Sequence, residues 1–132
     1  MGVRYTVSRA GAVRGIHGND ETGPIKYVTC VQGLARDVVV DLRPGSATFG
    51  HYVVNELTGD NRTQLVIAPG LGHAIEALED NTIILYGMNR AVNYADEWCV
   101  NPLDPSLRLP WLTTAPIMSD RDKNAPVIGA QL

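Results

Sequence analysis

The sequence has no CxxC pair, no cluster of basic residues, no long apolar run and no sustained helical period. Each absence removes a class of protein. Its two cysteines, Cys30 and Cys99, stand alone in dissimilar contexts, which fits reduced thiols and leaves room for at most one bridge, not a disulfide framework. Lys and Arg number 11 against 14 acidic residues, for a net charge of -3, and they are scattered singly. Without a concentrated positive field there is no footprint for nucleic acid or an anionic membrane surface. No stretch approaches the roughly 18 apolar residues of a membrane span, and the first eleven residues lack the apolar centre of a secretory leader. A cytoplasmic location is the expectation. At 132 residues the chain suits one domain with one core and one site, and it shows no repeat, low-complexity tract or linker.

What is present is mostly strand. Residues 25–33 ("IKYVTCVQG") and 35–43 ("ARDVVVDLR") are rich in β-branched and aromatic side chains, with Gly33 between them as in a hairpin. Further strands are expected at 50–57, 63–68, 72–78 and 82–88, separated by "TGDN", "PGLG" and "EDN", residues that favour turns. Short strands at this spacing predict an antiparallel barrel or sandwich. "NYADEW" (93–98) and "MSDRD" (118–122) each predict a short helical turn. Beyond residue 101 prolines accumulate, at 102, 105, 110, 116 and 126, so this part is expected to wrap the barrel as extended chain.

The residues with chemical potential are few. His17, His51 and His73 are the only histidines. In "RGIHGND" His17 could be a base, a metal ligand or a polar residue near a strand end. It lacks an HxH partner, Asn19 standing two residues on, and this spacing argues against a metal. Lys26, near the start of a strand, faces either water or inward; an inward ammonium is costly unless an anion or enolate-like group meets it. Tyr86 at the end of "IILY" reads as barrel wall, and Asp122 in "SDRD" as a cap or surface residue.

Taken in order, these residues resemble a known pattern. "RGIHGN" is similar to RGLHxQ, and "KYVTCVQGLARDVVVDLRPGSATFG" to KLVxVxxGxVxDVxVDxRxxSPTFG, with Ala47 replacing proline. "QLVIAPGLGHAIEAL" is similar to QLxIPxGxAHGFxxL and "LYGMNRAVNYADE" to LYKxTxxYxPxxE. "DPSLRLPW" and "MSDRD" are similar to DPxLxIxWP and LSxxD. Six blocks over roughly residues 12–126 resemble the dTDP-4-dehydrorhamnose 3,5-epimerase family. The resemblance implies an all-β cupin, a jelly-roll (double-stranded β-helix) barrel with a proline-rich C-terminal wrap.

It also implies an isomerase that epimerises a nucleotide-linked 4-keto-6-deoxyhexose at C3, C5 or both. By this resemblance His17 is the base, Asp122 its orienting carboxylate, Lys26 the cation that steadies the enolate and Tyr86 the acid on the opposite face. Arg14, Asn19, His73, Glu97 and Arg121 fall on substrate contacts. No metal or cofactor is implied, since the ketone itself acidifies its neighbouring C–H and fixed polar groups stabilise the enolate. A homodimer is implied as well. Two departures stand out. The family's N-terminal arm, which crosses to the partner, is not matched, and Ala91 and Val92 replace two tyrosines, the second of which stacks on the nucleotide base. An alternative follows, in which the pocket binds or converts a different keto-containing small molecule.

Overall fold

The computed structural model describes residues 1–91 and 93–129. Val92, at the stacking position, lies outside the described residues. Two antiparallel sheets face one another. One has the order β1 (Gly2–Ser8), β8 (Thr82–Met88), β3 (Lys26–Gln32), β6 (Gln64–Ile67). The other runs β5 (Tyr52–Thr58), β4 (Leu34–Val40), β7 (Gly72–Ala77), β2 (Val13–Gly18), β9 (Trp98–Cys99). The all-β expectation is met, and this strand order, with the chain passing from sheet to sheet, is that of a jelly roll.

One expectation is corrected. β3 and β4 are not a hairpin: β3 pairs with β6 and β8, whereas β4 pairs with β5 and β7 in the opposite sheet. Gly33, at φ 88°, is the corner where the chain changes sheets, and a Cβ there would run into the backbone and side chain of Thr82. A glycine between two strand-like runs marks a turn without saying which sheet the second run joins. Among the described residues, only β4 and β5 of the consecutive strands pair with each other. β1, β2 and β9 were not among the expected strands.

The core has two layers. Val28, Cys30 and Ile84 from one sheet meet Ala35, Leu57 and Ile75 from the other. Behind the five-stranded sheet, Ile16, Val40 and Ala74 pack under Val100, Leu107, Trp98 and Trp111. The proline-rich segment therefore wraps the back of this sheet, as expected. Buried Glu76 ties it down by accepting hydrogen bonds from the backbone N–H groups of Leu112 (2.9 Å) and Thr113 (2.7 Å). The two expected helical turns are present as a 3-10 turn at Tyr94–Asp96 and α1 at Asp120–Lys123. No helix among the described residues is long and apolar enough to cross a membrane.

Candidate active site

Both sheets contribute to one cavity of 370 Å³ at an end of the barrel. From the four-stranded sheet, strand alternation turns Arg4, Lys26 and Tyr86 inward, because Arg4 and Tyr86 are register partners and Lys26 lies two residues from Val28, which faces Tyr86. From the five-stranded sheet come Arg14, His17 and His73. Arg14 and His17 are three residues apart, a spacing that in a regular strand would send them to opposite faces. A break in the β2–β7 register between them restores both to the cavity. Gly15 makes the break possible: its φ is 120°, and a Cβ would stand 2.6 Å from the His73 carbonyl oxygen.

The same irregularity aims the Gly15 N–H at Asp122, 3.1 Å from Oδ2. Asp122 Oδ1 lies 2.7 Å from His17 Nε2, and Ser119 caps α1 by accepting from the Asp122 N–H at 3.1 Å. Asp122 is thus buried and held at three points. Burial opposes its ionisation, but the bonds from His17 and Gly15 outweigh it and lower the carboxyl below its ordinary value. An ionised Asp122 requires Nε2 to carry the imidazole proton, which leaves the lone pair on Nδ1.

Glu97 organises the other charges. Its carboxylate is 3.0 Å from Arg121 Nη1, 3.8 Å from Lys26 Nζ and 3.8 Å from His17 Nδ1. Burial lowers the Lys26 pKa, with Glu97 opposing the shift and Arg4 adding to it. Tyr86, on the wall opposite, is pushed up to about 12, chiefly by burial and further by the Asp37 carboxylate, with the Thr6 hydroxyl, then Arg14 and Arg4, partly offsetting. It is a neutral phenol with its proton available. The His73 ring stands edge-on to Tyr86, centroids 6.0 Å apart, and hydrogen-bonds through Nε2 to the fully buried Asp37. Arg14 is braced by the Ser8 hydroxyl at 2.9 Å.

Eight of the nine residues read from the sequence line this cavity: Arg14, His17, Lys26, His73, Tyr86, Glu97, Arg121 and Asp122. Asn19 does not. β2 ends at Gly18, so alternation no longer dictates the direction of residue 19, and the Asn19 amide instead donates to the Asp96 carbonyl at 3.4 Å. His51 is exposed and does not line the cavity. Sequence reasoning missed Arg4, Asp37 and Tyr94. Tyr94 sits at the cavity mouth, half exposed, with the Arg4 guanidinium 4.7 Å from its ring centroid and hydrogen-bonded to its hydroxyl. The signal for Arg4 was available, since "VRYTV" alternates apolar and polar residues.

The sequence model of the dTDP-4-dehydrorhamnose 3,5-epimerase family matches residues 2–129. The chain belongs to this family. It is 41% identical over 128 residues to a dTDP-4-dehydro-6-deoxyglucose 3-epimerase of Streptomyces bikiniensis, covering 96% of this chain and 65% of that protein. It is 39% identical over 128 residues to a dTDP-4-dehydrorhamnose 3,5-epimerase of Mycobacterium tuberculosis, covering 94% and 63%. The crystal structure of a 3'-monoepimerase from Streptomyces bikiniensis in complex with dTDP-quinovose superimposes with a TM-score of 0.91 at 41% identity, over 96% of this chain and 65% of that one. This epimerase-family chain thus spans a little under two thirds of the length of these relatives, and the cupin barrel is the part they share.

Proposed function

We propose that this protein is an isomerase that epimerises a dTDP-linked 4-keto-6-deoxyhexose at the carbon next to the ketone. The observation that carries the reading is the pair of opposed proton-transfer groups, a carboxylate-held imidazole on one wall and a neutral phenol on the other. Epimerisation needs a base on one face of the carbon and an acid on the opposite face. His17 removes the proton through Nδ1, and Asp122 holds the ring and supports the imidazolium that forms. Lys26 meets the developing enolate oxygen, and Tyr86 returns a proton from the other side. Arg14, His73, Glu97 and Arg121 position the substrate; Asn19, outside the cavity lining, has no part in it.

The relatives support a sugar nucleotide as substrate, since they are dTDP-sugar 3- and 3,5-epimerases and one is described with dTDP-quinovose. The free face of Tyr94 at the cavity mouth offers an aromatic surface to the nucleotide base near the position where Ala91 departs from the family. The exposed apolar side of the four-stranded sheet, with Val3, Tyr5, Val7, Tyr27 and Val66, supports a homodimer through that face. Light scattering on the purified chain reads this directly.

The test is solvent exchange. Parent protein in D2O should place deuterium next to the ketone of a dTDP-4-keto-6-deoxyhexose, and His17→Ala should not. Absence of exchange in the parent with such sugars rejects the reading. If another keto compound is the substrate, a reading that the loss of the family's tyrosines at positions 91 and 92 favours, thymidine diphosphate at millimolar concentration should give no thermal shift; the dTDP-sugar reading requires stabilisation.

A further inference from the structure

One polar side chain beside the proposed base has no part in proton transfer. β9 pairs with β2 so that Cys99 stands directly opposite His17. Its thiol donates to Asp122 Oδ1 at 3.4 Å, the same oxygen that meets His17 Nε2 at 2.7 Å. One donor atom from each of His17, Cys99 and Asp122 lies within 4.8 Å of the other two. Three separate elements, β2, β9 and α1, therefore bring an imidazole nitrogen, a thiol sulfur and a carboxylate oxygen within 4.8 Å of one another. The anchoring of Asp122 keeps Oδ1 available, because the Gly15 N–H engages the other oxygen.

This donor set is chemically selective. Thiolate with imidazole favours zinc and similar borderline-soft ions over magnesium or calcium, and three protein ligands with an open fourth position is a familiar zinc arrangement. At zinc–ligand distances of about 2.0–2.3 Å, neighbouring donors stand roughly 3.3–3.7 Å apart. The sulfur–oxygen separation already meets this, and the nitrogen–oxygen pair has to open by less than about 1 Å.

We propose that Cys99 turns the His17–Asp122 pair into a binding site for a thiophilic divalent cation of the zinc class, and that occupancy switches the base off. The cation takes the Nε2 lone pair, Asp122 Oδ1 and the Cys99 sulfur, whose thiol proton leaves to solvent. The imidazole proton moves from Nε2 to Nδ1, which consumes the lone pair facing the substrate. Nothing is oxidised or reduced. The binding half stands on geometry alone; the inhibitory half rests on the epimerase reading.

Cobalt(II), a visible stand-in for zinc, separates the two halves. The parent chain should bind one Co2+ and show a thiolate-to-cobalt charge-transfer band with the intense visible bands of a four-coordinate centre, whereas Mg2+ should neither bind there nor displace it. Cys99→Ser should abolish the charge-transfer band and weaken zinc binding, measured against a chromophoric chelator, by at least about tenfold. In the exchange assay, zinc should inhibit the parent, while Cys99→Ser should keep the metal-free rate and resist zinc. A cobalt adduct of the parent without a thiolate band overturns the site, whatever the variant does. A band that persists in Cys99→Ser overturns it too. A band without inhibition of an active parent overturns the switch, and a band on a chain that exchanges no keto sugar leaves the site standing while the epimerase reading fails.

Discussion

The two sheets are built for different surroundings. Every residue of β7 in the five-stranded sheet is buried, because the barrel interior covers one side and the proline-rich wrap the other. In the four-stranded sheet β1 alternates, with Val3, Tyr5 and Val7 outside and Arg4 and Thr6 facing the cavity. The usual pattern is inverted there: the apolar side is bare and the polar side is inside. Polar groups are tolerated in a barrel interior only where a ligand or an opposite charge meets them. The wall with the base is therefore backed by a second core, whereas the wall with Lys26 and Tyr86 has an open apolar back that suits another subunit.

Removing one wall's chemistry at a time is the strongest way to break this comparison. His17→Ala should reduce both deuterium incorporation and product formation by on the order of 1,000-fold or more, since without a base no enolate forms. Tyr86→Phe is expected to cost less, about 100-fold in net epimerisation, and to separate the two readouts. Exchange should continue from the His17 face while inversion falls. Equal loss of both in Tyr86→Phe would remove the assignment of opposite faces.

The backing of the base wall is tested at Glu76. Its carboxylate is fully buried and accepts N–H groups of the wrap. Glu76→Gln presents an amide N–H to donors, so global stability from urea unfolding should fall by about 1–3 kcal/mol. No corresponding cost should follow from Tyr5→Ser on the bare face; there the expected change is a weakening of the proposed homodimer, read by light scattering. At the cavity mouth, Tyr94→Ala should weaken thymidine diphosphate binding by roughly tenfold, within the 1–3 kcal/mol range of base stacking, with little effect on kcat.

How far these features could be read in the sequence depended on range. β3 through β8 were legible to within three residues at every boundary, the largest miss being the end of β4 at Val40 instead of 43, because β-branched runs and turn residues are local signals. The sheet each strand joins is not local, and so residues 25–43 were misread as a hairpin. β1 escaped because the first residues were weighed only as a possible leader, although Val3, Tyr5 and Val7 carry the period of two. In the site, Lys26 and Tyr86 had no distinguishing local chemistry; their order relative to His17 and Asp122 identified them through the family resemblance. Asp37, Arg4 and Tyr94 are brought in by long-range pairing. Cys99 read as a lone thiol until β9 set it opposite His17.

The smallest expected effect concerns the charge that holds the base. The Asp122 carboxyl is held below its ordinary value, because the bonds from His17 and Gly15 outweigh burial. A folded-state pKa below the unfolded one means that the unfolded chain binds more protons in acid. The contribution is therefore fully present above the unfolded value and is lost as pH falls through the folded one. Asp122→Asn removes this contribution. The difference in melting temperature between parent and variant should be constant from neutral pH down to about pH 5 and should shrink progressively below about pH 4. A difference that stays flat through acid would mean that Asp122 holds His17 without its charge, and the deprotonated Nδ1 assigned to the base wall would lose its support.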